Sequence, residues 1–282
     1  ISAKKIFFSG TSYYTTYYNG YSSLYDNIFE LAFDRCDNET IVKILKNPNF
    51  DSKKINFAKI FYRSFSRAII KSNDNEMSVE MLDLLIKYDK EHENSIDLNH
   101  LLPDGRSVFT AIPQCIKNIS ELAKLFLDNG ANPNIADNFN LYPFEYAIKS
   151  KITDFINVLI ESNKIDYSQK ISFYCSNSKY KSKNTQKDPL CLKTLFDLAF
   201  YETDTKTIVK ILESSSFDST KVNFCNLFYL ALYKIEVDSR NSSVLNFELA
   251  DILYEYDCKN LHLIDSLIKV KGSTLMVSNM SY

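Results

Sequence analysis

At 282 residues, 45% of them hydrophobic, with only 5 Gly and 6 Pro, the chain suits one large or two smaller globular domains and is neither a linker nor a low-complexity segment. A formal net charge of −2 and a pI of about 6.0 exclude the concentrated positive field that nucleic acid or an anionic membrane surface requires. Six cysteines (Cys36, Cys115, Cys175, Cys191, Cys225 and Cys258) form no C-x-x-C and stand near no histidine at zinc-ligand spacing, so reduced, mostly buried thiols in a cytoplasmic (intracellular) protein are expected, with no metal and no cofactor.

Along the chain, Ile6-Phe7-Phe8 is too short for a signal-peptide core, and no apolar run approaches the ~18 residues of a membrane span. Tyr13, Tyr14, Tyr17, Tyr18, Tyr21 and Tyr25 keep helical spacing apart from an Asn19-Gly20 interruption. They read as an interior helix or, alternatively, as a partner-docking strip. Phe29-x-x-Ala32 and Phe65-x-x-Ala68 mark first helices, and Ile41–Leu45 and Met81–Ile86 mark second helices. Asn38 and Asp204 or Thr205 are candidate helix caps. Gly105-Arg106-Ser107-Val108-Phe109 opens a stretch that closes on Phe126-Leu127-Asp128-Asn129-Gly130-Ala131-Asn132-Pro133-Asn134. A second stretch opens on Asp137-Asn138-Phe139-Asn140-Leu141-Tyr142-Pro143-Phe144 and runs to Asn163. Residues 166–191 are polar without an apolar period and predict an inserted loop.

The strongest signal is internal duplication. Thr40-Ile41-Val42-Lys43-Ile44-Leu45 returns intact as Thr207-Ile208-Val209-Lys210-Ile211-Leu212, and Phe50-Asp51-Ser52 returns as Phe217-Asp218-Ser219, both offset by 167 residues. Tyr88-Asp89 returns as Tyr256-Asp257 at offset 168. Unit starts fall near Phe29, Phe65, Phe109, Phe144, Phe196, Leu232 and Met276, spaced 36, 44, 35, 52, 36 and 44. The order of spacings repeats, so the segments are the end of a preceding block (1–23), a four-unit block (24–165), the polar connection (166–191) and a truncated second block (192–282). Both ends read as cuts through a longer array, since neither resembles a polar capping repeat.

The residues from 105 to 163 resemble the ankyrin repeat. Phe126-Leu127-Asp128-Asn129-Gly130-Ala131-x-x-Asn134 is the most specific match, followed by Asp137-x-x-Asn140-x-Tyr142-Pro143-Phe144-x-x-Ala147. Pro143 suits a first helical turn, Gly130 sits where a left-handed residue ends a helix, and Asn163 can do the same. Asn140 replaces the family's turn glycine, and Glu145 stands at the family's usual histidine. The resemblance implies an all-α solenoid of stacked helix–turn–helix units with irregular long connections. Divergent Asn-, Lys- and Tyr-rich arrays of this kind are familiar from AT-rich protists and large DNA viruses.

Nothing in the sequence assembles a nucleophile, a base and an orienting group. His92, His100 and His262 occupy polar connections, carboxylates such as Glu80, Asp83, Glu248 and Asp251 follow helix surfaces, and the five glycines form no phosphate loop. A non-enzymatic scaffold or adaptor that binds other proteins is therefore expected. The resemblance places the contacts at turn tips and first helices, here Arg106, Asn138, Phe139, Leu141, Glu145 and Lys149. Two alternatives stay open: an architectural piece of a large, for instance cytoskeletal, assembly whose neighbouring subunits make distributed contacts, and the targeting module of an enzyme or effector whose catalytic domain lies outside residues 1–282.

Overall fold

The computed structural model describes residues 27–35, 38–70, 79–114, 118–174, 192–224, 227–228, 231 and 247–260. The fold is mostly helical and forms two compact units, residues 1–139 and 140–282. The first unit contains α1 (Ile28–Arg35), α2 (Asn38–Leu45), α3 (Phe57–Ile70), α4 (Val79–His92), the short α5 (Val108–Ala111) and α6 (Ile119–Asp128). Within it α3 packs on α4, and α4 lies between α2 and α6. The second unit contains α7 (Pro143–Lys149), α8 (Thr153–Glu161), strands β1 (Lys170–Tyr174) and β2 (Leu192–Thr194), α9 (Leu195–Glu202), α10 (Thr205–Glu213) and α11 (Glu248–Asn260). There α7 packs on α8 and α9, α8 on α10, and α10 on α11.

Several helices start or stop for an identifiable local reason. Ser107 and Thr194 close capping boxes at α5 and α9, and the Asp204 side chain accepts from Thr207 N at 2.8 Å to start α10. Pro143 occupies the first turn of α7, where the missing N–H has no partner to lose. After α4, α6 and α8 the chain turns through left-handed residues, Asn94 (φ 49°), Gly130 (φ 89°) and Asn163 (φ 53°). Asparagine and glycine are the residues that tolerate this conformation best.

A closing turn follows each of those three helix ends. Asp97 Oδ1 accepts from Asn99 N (2.9 Å), Asn132 Oδ1 from Asn134 N (2.9 Å) and Asp166 Oδ1 from Ser168 N (3.0 Å). The short polar side chain thus bonds its own backbone two residues on and fixes the turn. Within the first unit these turns stack: Asn132 N donates to Asn99 Oδ1 at 2.7 Å, across a sequence separation of 33.

The core is aromatic and duplicated. Phe29, Phe50, Phe57 and Tyr88 cluster in the first unit, with ring centroids 5.0 Å apart for Phe29–Phe50, 6.0 Å for Phe50–Tyr88 and 5.5 Å for Phe57–Tyr88. Their counterparts in the second unit repeat the distances: Phe196–Phe217 at 4.8 Å, Phe217–Tyr256 at 5.9 Å and Phe224–Tyr256 at 5.4 Å. Five unit-start phenylalanines, Phe29, Phe65, Phe109, Phe144 and Phe196, are all buried.

Two features refine the reading from sequence. A two-stranded antiparallel sheet, β1 with β2, interrupts the helical pattern. In addition, the first part of the 166–191 connection is built structure rather than a plain polar loop. Ile165-Asp166-Tyr167-Ser168 repeats the closing turn, Tyr167 is only 2% exposed, and Phe196 N donates to Tyr167 O at 3.0 Å. Residues 175–191 lie outside the described residues, as do residues 1–26 with the N-terminal tyrosines, the unit starts Leu232 and Met276, His262, and every cysteine except Cys258.

Candidate functional site

Three of the six expected contact residues belong to the first unit. Asp104-Gly105-Arg106 forms a turn in which Asp104 accepts from both the backbone N (3.1 Å) and the Nε (2.9 Å) of Arg106. Burial alone would raise the Asp104 carboxyl, but these Arg106 hydrogen bonds outweigh it and hold the pKa below the usual carboxylate value. Arg106 is therefore pinned back on its own turn, its side chain 16% exposed, and its Nη1 is buried without a hydrogen-bond partner.

Gly105 (φ 84°) supports the next turn directly. Asn138 N donates to Gly105 O at 2.9 Å, and the Asn138 side chain lies so close over the glycine that a Cβ there would meet Asn138 Nδ2 at 2.3 Å. The tip is fixed further by Phe139 N, which donates to Asp137 Oδ1 at 2.8 Å. On this clamped backbone the Phe139 ring points away from the protein and is 78% exposed, well above Ile28, Phe247 and Tyr254, the other exposed large hydrophobic residues among those described. The structure thus turns a position that could equally have packed inward into an exposed aromatic.

The other three residues belong to the second unit. Leu141 is half-buried in the entry to α7, just after Asn140, whose φ of 57° shows asparagine filling the turn-glycine role. Glu145 lies in the first turn of α7 but faces inward. Its side chain is 1% exposed, with Oε1 bonded to Lys149 Nζ at 2.6 Å and Oε2 buried without a hydrogen-bond partner. Of the α7 pair, Lys149, with a side chain 33% exposed, is the one that reaches the surface.

The second unit also holds a pocket of about 250 Å³ between the 163–168 turn and residues 216–222. Lys164, Asp166, Tyr167, Ser216, Asp218 and Lys221 line it, two cations against two anions. Burial pushes the Tyr167 phenol up to about 12, although the nearby Ser214 and Ser216 hydroxyls oppose the shift, and its hydroxyl makes no hydrogen bond. Serines and lysines surround Tyr167 in the chain and mask its core role. The usable signal was the Ile165-Asp166-x-Ser168 echo of Ile96-Asp97-x-Asn99.

Of the histidines, His92 and His100 are exposed, and His92 stacks on Tyr88 at a centroid distance of 3.9 Å. Among the described residues no group of three or more His, Cys, Asp or Glu could hold a metal ion, and no helix is long and apolar enough to cross a membrane. Compared with known proteins, the chain matches no family model, no curated protein and no solved structure.

Proposed function

We propose that the chain is a non-catalytic protein-interaction scaffold, an ankyrin-like array whose turn tips contact a protein partner. The observation that carries this reading is Phe139, an aromatic ring 78% exposed at the tip of a turn that Asp137 and Gly105 hold rigid. Aromatic residues are enriched at the cores of protein interfaces, and one presented on a fixed backbone is suited to act as an anchor. A preorganised tip also loses little conformational entropy on binding. Further support comes from the turn-on-turn bonds at a separation of 33 residues, the spacing that the resemblance to ankyrin repeats implies.

The test is partner capture from a native lysate with the 282-residue chain beside Phe139→Asp and Lys149→Ala, both exposed positions outside the core. Loss of a defined partner from Phe139→Asp, with unchanged helical circular dichroism, supports a tip-centred adaptor. A partner set indifferent to both substitutions removes the site assignment and leaves the architectural alternative.

A further inference from the structure

The three closing turns share one buried central position, and one of the three fills it with a polar-tipped residue. Leu98 stands there after α4, Pro133 after α6 and Tyr167 after α8, and all three are buried. Leucine and proline supply apolar volume alone. Tyr167 supplies volume through its ring, which packs edge-on to Phe144 at 5.4 Å and tilted against Phe217 at 6.2 Å. Its hydroxyl is an addition that packing does not require. The residue is 2% exposed and the hydroxyl has no hydrogen-bond partner, which costs stability.

Tyr167 lines the pocket of about 250 Å³ in the second unit, together with Ser216, whose hydroxyl stands near the phenol. All ten residues that line this pocket are among those described. Pockets for drug-sized ligands run from roughly 300 to 1,000 Å³, so this one suits a smaller molecule. Burial holds the phenol pKa at about 12, so at neutral pH the group is protonated and can donate a hydrogen bond.

Charge narrows the class further. The 163–168 turn contributes Lys164 and Asp166 to the lining, and the opposite segment contributes Asp218 and Lys221. Asp218 is ionised, because the Thr220 hydroxyl (2.6 Å) and backbone N (3.0 Å) donate to its Oδ1 and hold its pKa below the usual carboxylate value. Each side thus presents one cation and one carboxylate. A ligand with a single charge meets a like charge on both sides, whereas a molecule carrying both signs meets an opposite charge for each.

We propose that this pocket binds a small zwitterion of the α-amino-acid class, with its carboxylate accepting from the Tyr167 hydroxyl and facing the lysines, and its ammonium facing the aspartates. The site belongs to the second unit and does not depend on the Phe139 tip.

The test titrates the full 282-residue chain with L-alanine, followed by saturation-transfer NMR of the alanine methyl group. Propionate and ethylamine, which each keep one of the two charges, serve as matched probes. Saturable L-alanine binding is expected, with both single-charge probes weaker by roughly tenfold or more. Tyr167→Phe should weaken L-alanine binding by roughly threefold to tenfold without loss of stability in urea unfolding. Lys221→Glu, at an exposed position, should weaken it by roughly twofold to fivefold. Absence of saturable L-alanine binding overturns the proposal. Propionate binding as tightly as L-alanine reassigns the pocket to simple anions and overturns it too, as does L-alanine binding indifferent to both substitutions.

Discussion

Gly105→Ala measures how much the turn-on-turn contact contributes. Gly105 has φ 84° and carries Asn138 directly above it, with Nδ2, Cγ and Cβ at 2.3, 2.8 and 3.0 Å from the position of an added Cβ. Gly130 has a nearly identical φ of 89° with nothing within 4 Å. Each alanine bears the left-handed conformational cost of about 1–2 kcal/mol. At Gly105 the Asn138 side chain must also move. Its amide end can rotate away, but its Cβ is fixed by the backbone bond to Gly105 O, so roughly another 1–2 kcal/mol is expected. Urea unfolding followed by circular dichroism should therefore show Gly105→Ala more destabilising than Gly130→Ala. The excess should vanish in an Asn138→Gly background, which removes all three clashing atoms. Equal effects of the two alanines in the parent chain would refute the close contact between the turns.

Two further outcomes are expected. Asp204 caps α10, and its hydrogen bond from Thr207, with smaller attractions from Lys206 and Lys210, lowers its pKa below the ordinary 3.8. A lowered folded pKa gives stability that is present above the unfolded value and is lost as pH falls through the folded one. Asp204→Ala should therefore cost about 0.5–2 kcal/mol in urea unfolding at pH 7 and less below pH about 4, whereas Asp204→Asn keeps the cap and flattens that acid dependence. Tyr167, with its phenol raised to about 12 against an ordinary 10.0, carries the opposite sign. Its contribution is complete below pH 10 and declines as pH rises from there towards the folded value. Tyr167→Phe should remove that alkaline loss and, because the hydroxyl has no hydrogen bond, be neutral or stabilising by up to about 1 kcal/mol.

What the sequence made legible follows from how strongly each feature constrains residue choice. Gly130, Asn140 and Asn163 were readable because a left-handed backbone excludes most side chains, and all three have positive φ. The aromatic cluster was implicit in the duplication, since copying Phe29, Phe50, Phe57 and Tyr88 in register copies their contacts. Burial of Glu145 was not readable. A carboxylate on a short amphipathic helix looks solvated, and only the packing of the first turn of α7 shows it facing inward with Lys149 across its mouth. The strand at 170–174 was also hidden, because its partner at 192–194 lies beyond a polar stretch and pairing across such a distance leaves no local period.

The two copies also show which part of a core can drift. Glu30, fully buried, accepts from Arg63 Nη1 at 2.9 Å and lies 3.6 Å from Lys59 Nζ. In the second copy the counterparts of Lys59 and Arg63 are Asn226 and Leu230, and Glu30 has become Asp197. The shorter carboxylate turns back on its own helix start, where Thr194 N and Lys193 N donate to it at 3.0 and 2.9 Å. Removing one member of a buried ion pair strands the other and costs several kcal/mol, roughly 3–5, while replacing the whole set is close to neutral. A polar cluster of this kind therefore changes as a group. The aromatic contacts have no such neutral exchange, because any smaller ring position leaves a cavity in both neighbouring helices. That asymmetry accounts for four rings kept at matching distances around an electrostatic core rebuilt from different residues.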